Sequence, residues 1–498
     1  MSRMGAKMRE ILRAAFKTGS GSAISMILGA ISSKIMAVVT GPIGIGLYSM
    51  LTQILSTASI TGSIGGGGTA LTQGVAGKKG GVRDELIRTV FWIFVAGALL
   101  VAVSLMILAP WIASVSLGGG DEASIGLVRW VALPVVLTVG LTYLNSVLNG
   151  FLAIGRLALI QMAGAAMNAI ISYPISIMAN TGYPIAFVGM MSASTSVQII
   201  VALLKVRAHG YIRPIWSRGF RPRIERASAS SFFKMAGTLL ITGVFSTVVL
   251  LVIRSLIVQY DGLAEAGIFN VAWVICMMYP MIALGSFGTY FFPALSRLED
   301  PQKRIDLMRD MFRISTLIIT PMLVVMILLK PLVVDIMYSN QFYASLDIIR
   351  WMLIGVYLKT ASWVVSMPVV AFPNMRVYFW TENLWYVGLL TFSLLAVIIF
   401  GSIEIIGIGF LVIYALFLAY YKRYARIKHG FTLTKGLTIS WFSGLFLVIF
   451  ASGLTWTGIQ INWSITAFLI AATILYMWLS LSREERKWLV RLVDRPKE

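Results

Sequence analysis

Apolar stretches of about 20 residues recur along the whole chain, separated by short polar connections, and no other feature limits its fold as strongly. As a helix, a stretch of that length crosses a hydrocarbon core about 30 Å thick. Only helices and closed barrels satisfy their backbone hydrogen bonds in lipid, and runs this long suit helices rather than barrel strands. Fourteen spans are predicted, near residues 20–40, 43–64, 89–116, 125–150, 157–178, 183–206, 235–260, 265–292, 312–333, 346–370, 378–400, 403–421, 436–457 and 462–481. With 58% hydrophobic and 12% charged residues over 498 positions, the chain has too little charge to cover a water-soluble protein of its size. The fold class is an all-α polytopic membrane protein.

The net charge of +21 would suggest nucleic acid in a soluble domain, but its distribution answers otherwise. Of the 41 Lys and Arg residues, 35 lie in the N-terminal segment, the alternate connections that follow even-numbered spans, or the C-terminal tail. The intervening connections, such as "GGGDEAS" and "YDGLAEAG", are short and neutral or acidic. Positive charge retained on one side is an orientation signal, and it predicts both termini in the cytoplasm. Residues 1–19 read as an interfacial amphipathic helix, with Met8, Ile11, Leu12 and Phe16 at helical spacing among basic residues. The tail invites the same reading. The single cysteine and two histidines offer no disulfide framework or metal cluster, so no cofactor is expected. The glycine run "GSIGGGG" at 62–68 is followed by neither a P-loop Lys-Ser/Thr nor a dinucleotide fingerprint, and reads as close packing or a hinge.

An internal repeat runs through the chain. "KIMAVVTGPIGIGLYSM" aligns with "RSLIVQYDGLAEAGIFNVA", pairing Lys34 with Arg254 and, with one residue inserted and later compensated, Gly68 with Gly288. Six spans precede the basic connection 207–234 and six follow it, so the copies run parallel about an axis along the membrane normal. The predicted organisation is a six-helix lobe at 20–206, a basic cytoplasmic linker at 207–234, and a second six-helix lobe at 235–421. Residues 422–498 then supply a basic loop, helices 13 and 14, and the tail.

The same segments, "SSKIMAVVTGPIGIGLYS" and "VIRSLIVQYDGLAEAGIFNVAW" running on to "YFFPALSRL", carry a family resemblance spread over residues 18–421. The chain resembles polysaccharide exporters of the O-antigen or teichoic-acid type, within the multidrug/oligosaccharidyl-lipid/polysaccharide flippase superfamily. That resemblance implies two pseudo-symmetric lobes around a central cavity, alternating access, and a lipid-linked oligosaccharide or a drug as cargo. It also implies an inner-membrane location, with polysaccharide-assembly proteins as possible partners. The internal repeat supplies what a dimer otherwise would, and a monomer is expected.

Lys34 and Arg254 lie about 10 Å below the outer ends of their helices, and Lys359 about 20 Å, at 1.5 Å per residue. A central Lys or Arg costs about 2.5–3.5 kcal/mol on translocon scales, so these three are expected to face a cavity and hold an anionic diphosphate headgroup. For Lys34 and Arg254 the alternative is snorkelling to the interface. Gln53, Asn145 and Asn149 are further candidates, for sugar hydroxyls or for hydrogen bonds between helices. Arg129, Lys330 and Arg350, at span ends, read as interfacial anchors. None of the 20 acidic residues falls deep within a span, which departs from the intramembrane carboxylates of multidrug exporters. A lipid-linked oligosaccharide flippase is therefore expected ahead of a multidrug exporter. A polytopic glycosyl-polymerase or ligase comes last, since the short outer connections carry no paired carboxylates or Ser-His arrangement and no enzyme is expected.

Overall fold

A computed structural model describes residues 2–212, 215, 225–372, 374–456 and 462–480. Most of the linker at 213–224 and the tail at 481–498, both predicted to be cytoplasmic, lie outside the described residues. The described regular structure is helical. In chain order the helices are α1 (Ser2–Gly62), α2 (Gly67–Gly77), α3 (Gly80–Ser116), α4 (Glu122–Gly150), α5 (Ile154–Asn180), α6 (Ala186–Ala208), α7 (Arg226–Asp261) and α8 (Leu263–Arg297). They continue with α9 (Pro301–Leu328), α10 (Lys330–Met337), α11 (Ser345–Ala371), α12 (Met375–Leu394), α13 (Glu404–His429), α14 (Lys435–Leu454) and α15 (Trp463–Ser480).

Among the described residues, twelve helices are long and apolar enough to cross a membrane. The first of these, Ile24–Gly62, is two helices joined across Gly41, and α8 at 35 residues is one more, which makes fourteen. Their outer surfaces are apolar, as at Leu100, Ile107 and Trp111 of α3, which suits contact with lipid rather than water. The predicted ninth span, 312–333, divides differently: α9 ends at Leu328, and Lys330 and Pro331 open the separate α10.

Gly41 explains how the first two spans meet. Its φ of 62° and ψ of −165° are closed to residues with a side chain, and Pro42 restarts the helix with its φ already set. Gly262, which the repeat register pairs with Gly41, joins α7 to α8 with φ 90° and ψ 175°. Both copies of the repeat therefore turn on the same backbone conformation. Five residues on in each copy are Gly46 and Gly267, where the two helix starts meet backbone to backbone. A Cβ on Gly46 would fall 1.8 Å from the Leu263 carbonyl oxygen, and one on Gly267 would fall 2.2 Å from that of Pro42. Beyond this crossing the second half of α1 runs antiparallel to α7. Gln53 and Thr57 both donate to the Thr247 carbonyl, and Gly65 lies against Leu240 further along.

The glycine run breaks this span at 63–66, with Ile64 at φ 58°, before α2 resumes. A β-branched residue in that region is strained. The run also packs closely, since a Cβ on Gly65 would come within 2.4 Å of the Leu240 Cα.

Contacts divide the chain into two units. One comprises residues 1–270, 337–341 and 379–401, in which α1 packs on α5, α3 on α4, and α7 on α1 and α3. The other comprises 271–336, 342–378 and 402–498, centred on α11, which packs on α13, α9 and α14. There Gly355 admits the ring of Phe410, and the Tyr357 hydroxyl donates to the Trp441 carbonyl at 2.7 Å.

The glycine crossing generates a test. Gly46→Ala or Gly267→Ala forces two backbones apart and is expected to destabilise the purified protein by about 1–3 kcal/mol, as overpacking does. Gly29→Ala, with open space at its Cβ, is expected to be neutral. Thermal unfolding followed by size-exclusion chromatography reads the difference, and equal stability of all three variants would count against the crossing.

Candidate functional site

A guanidinium in the interior of a membrane protein needs donors' partners and a counter-charge, because lipid supplies neither. Arg254, on α7, is buried, with 7% of its surface exposed. Its Nη1 donates to Asn270 Oδ1 at 3.0 Å, and the guanidinium carbon lies 5.9 Å from the centroid of the Phe269 ring. Its Nε has no hydrogen-bond partner among the described residues, and neither of these two neighbours is anionic. An amide oxygen and an aromatic face solvate a cation only partly. Removing one partner from a buried ion pair costs about 3–5 kcal/mol, which is the scale of the compensation that an incoming anion offers.

Lys34, half-buried on α1, donates from Nζ to the backbone carbonyl of Tyr338 at 2.5 Å, just past the end of α10. Both residues belong to the first unit, as do Arg254, Phe269 and Asn270. Lys359 belongs to the second, on α11, the most buried of the spans. Its Nζ lies 3.4 Å from Met277 Sδ and 5.8 Å from the centroid of the Tyr414 ring. A thioether and a π face are weak, neutral acceptors. Each of the three deep cations thus has at least one uncharged neighbour in place.

The polar candidates separate. Gln53 is buried and its amide is engaged with Thr247, a bond between helices. Asn145 has a buried Oδ1 with no partner among the described residues, so its acceptor is open. Asn149 is exposed in the last turn of α4, next to the basic connection at Arg156.

Two expectations are corrected. Lys330 and Arg350 are not interfacial anchors, since each is only 3% exposed. Lys330 Nζ donates to the Thr455 carbonyl at 3.1 Å, at the C-terminal end of α14. Arg350 bonds the Asp347 carboxylate and lies 4.1 Å from the Trp456 ring centroid. The pair fastens the C-terminal end of α14 within the second unit. The Asp347–Arg350 spacing was a readable helix pair, whereas Thr455 and Trp456 are distant in sequence. Asn270 is the residue the sequence reading missed at Arg254. Its signal was an amide inside the apolar run "AGIFNVAWV".

The family model described as polysaccharide biosynthesis protein matches residues 35–347. The lipid III flippase of Escherichia coli (strain K12) is 25% identical over 397 residues, 77% of this chain and 90% of that protein. Among solved structures, the lipid II flippase MurJ in an inward closed conformation superposes with a TM-score of 0.69 at 15% identity. It covers 95% of this chain and 99% of that one. An inward-facing multidrug resistance transporter of the MATE family, in the MOP superfamily, gives 0.63 at 16% identity, covering 83% and 98%. The two structural likenesses establish the fold.

The surroundings of Arg254 predict opposite outcomes for two substitutions. Asn270→Asp gives the guanidinium a counter-charge and is expected to raise thermal stability. Asn270→Leu strips its hydrogen bond and is expected to lower stability by about 1.5–3 kcal/mol, the range for bonds to charged groups. Thermal melts of the purified variants decide, and a neutral Asn270→Asp would mean that Arg254 already has its anion.

Proposed function

The chain belongs to the polysaccharide biosynthesis protein family, and from that premise we propose that it is a flippase for polyprenyl-diphosphate-linked oligosaccharide. It carries the glycolipid across the cytoplasmic membrane for cell-surface polysaccharide synthesis. The observation that carries this reading is Arg254, a buried guanidinium whose neighbours leave a strong anion-binding capacity unused. A diphosphate presents paired oxygens to such a group, and Arg is suited to bidentate contact. Lys34 and Lys359 add point charges, and Asn145 offers an open amide for sugar hydroxyls, with Gln53 and Asn149 as secondary contacts.

In this reading the protein is a transporter rather than an enzyme, with both termini cytoplasmic. The segments 20–206 and 235–421 act as two lobes that rock about the repeat axis, between the interfacial helix 1–19, the linker 207–234 and the appended region 422–498. The glycolipid enters sideways, with its tail in lipid and its diphosphate held by Arg254 and Lys34, and Lys359 is a further cationic contact for the headgroup during transfer. An inside-negative potential favours outward movement of that headgroup by about 2.3 kcal/mol per charge per 100 mV. The protein works as a monomer and receives its cargo from polysaccharide-assembly proteins. A cationic drug finds little here, because the charged groups within the spans are basic and no carboxylate lies deep in a span.

The test is a lipid extract from a deletion strain of the source organism, restored with the wild type or with Lys34→Gln/Arg254→Gln/Lys359→Gln. Lipid-linked glycan is expected to accumulate in the deletion, to clear with the wild type and to persist with the triple variant. Drug hypersensitivity with normal surface glycan would refute the proposal.

A further inference from the structure

The repeat register extends to the basic face of the chain, where it pairs residues that the transport reading leaves unused. Arg83 pairs with Arg304, Phe151 with Phe372, Arg156 with Arg376, His209 with His429, and Tyr211 with Phe431, at offsets of 220 or 221. In the first unit the Arg83 guanidinium lies 4.7 Å from the Phe151 ring centroid. In the second unit Arg304 lies 4.2 Å from that of Phe372. The glycines after the two histidines, Gly210 and Gly430, share φ values of 67° and 65°. One Arg–Phe–His frame is thus built twice, once in each unit.

The copies differ in what fills them. In the first, Arg156 donates to the Tyr211 hydroxyl at 3.0 Å and to His209 Nε2 at 2.6 Å, while His209 Nδ1 donates to the Lys205 carbonyl. Phe151 stacks on Tyr211 with centroids 4.1 Å apart. The frame is closed by its own arginine. In the second, Arg376 is exposed, and a pocket of about 200 Å³ opens beneath the frame. Arg304, Lys428 and His429 line it with the Phe372 ring, and none of the described lining residues is acidic. Arg304 spends Nε on the Leu298 carbonyl, and its terminal nitrogens have no hydrogen bond to the described residues. Arg304 and Lys428 at this wall repel one another until an anion joins them, and burial with these two charges holds the His429 imidazole below its usual range, as a neutral ring. The volume falls below the roughly 300–1,000 Å³ of pockets for drug-sized ligands, so it admits a headgroup rather than an oligosaccharide.

We infer that the pocket formed by Arg304, Lys428, His429 and Phe372 is a phosphate- or diphosphate-binding site on the basic face, separate from the transport cations. Arg304, steadied on Phe372, offers two terminal nitrogens for bidentate contact, with Lys428 completing the charge and the neutral His429 ring adding an N–H donor. The ligand chemistry is common to a soluble phosphate ester and a lipid headgroup.

A local reporter separates these sources and is independent of Lys34, Arg254 and Lys359. Cys276 is the one cysteine and is buried, so Ile305→Cys, at the pocket wall, supplies a single accessible thiol. The full-length protein goes into nanodiscs of neutral lipid, and maleimide labelling is timed with and without inorganic pyrophosphate. A second set of nanodiscs contains phosphatidylglycerol and no pyrophosphate. Labelling is expected to slow by about 10-fold at ~10 times the dissociation constant of whichever ligand fits. Protection by pyrophosphate assigns a soluble phosphate, and protection by phosphatidylglycerol assigns a headgroup. Either protection must vanish in Arg304→Gln and weaken in Lys428→Gln, an exposed position where misfolding is not a concern. Arg83→Gln, in the closed copy, must leave it unchanged. Equal labelling under all conditions, or protection that survives Lys428→Gln and Arg304→Gln, overturns the inference.

Discussion

A guanidinium buried inside a membrane protein without a carboxylate beside it is the constraint around which the rest arranges itself. Arg254 has an amide oxygen and the face of Phe269, and these do not neutralise it. Natural proteins keep such groups where an anion comes and goes, because a permanent partner would remove the binding capacity and no partner at all would be destabilising. Asn270 fits that balance: it orients the guanidinium through one nitrogen and leaves Nε open. Lys34 donates to a backbone carbonyl and Lys359 lies beside a thioether.

Around that charge the backbone is organised by glycine. Gly41 and Gly262 turn the chain between paired helices in each copy of the repeat, and Gly46 and Gly267 bring the two helix starts into direct backbone contact. In lipid there is little hydrophobic drive between helices, so close approach through small residues and carbonyl contacts carries the association. The Gly46–Gly267 crossing joins elements from both copies of the repeat within the first unit. Arg254 lies eight residues before Gly262, on the helix that leads into this crossing. The position of the charge and the packing of the glycines are therefore coupled through α7.

The sequence was legible wherever a property repeats or averages over a span. Twenty-residue apolar runs predicted the helices, and the repeat register sets Gly41 opposite Gly262, which the structure shows taking similar positive-φ turns. The glycine run at 62–68 read as close packing or a hinge, and the structure shows a helix break with Ile64 at positive φ and a close contact at Gly65. Partners brought together from distant parts of the chain were not legible. Nothing near Lys330 or Arg350 points to Thr455 and Trp456, so hydropathy alone placed both cations at an interface when they are buried. Asn270 looked like any amide in an apolar run until α7 and α8 set it against Arg254. The two Arg–Phe–His frames escaped for a related reason: their members sit one or two at a time in connections that read only as orientation signals.

The central claim is that the unneutralised Arg254 exists to hold a diphosphate during transfer between leaflets. The most direct measurement reconstitutes the protein in liposomes with a fluorescent polyprenyl-diphosphate oligosaccharide and follows quenching by an impermeant reductant. Wild-type protein should bring the inner-leaflet half within reach of the reductant. Arg254→Gln should slow that movement by about 10-fold or more, since each decade corresponds to 1.4 kcal/mol and a charged hydrogen bond contributes about that much. Transfer at the wild-type rate by a correctly folded Arg254→Gln protein would contradict the account.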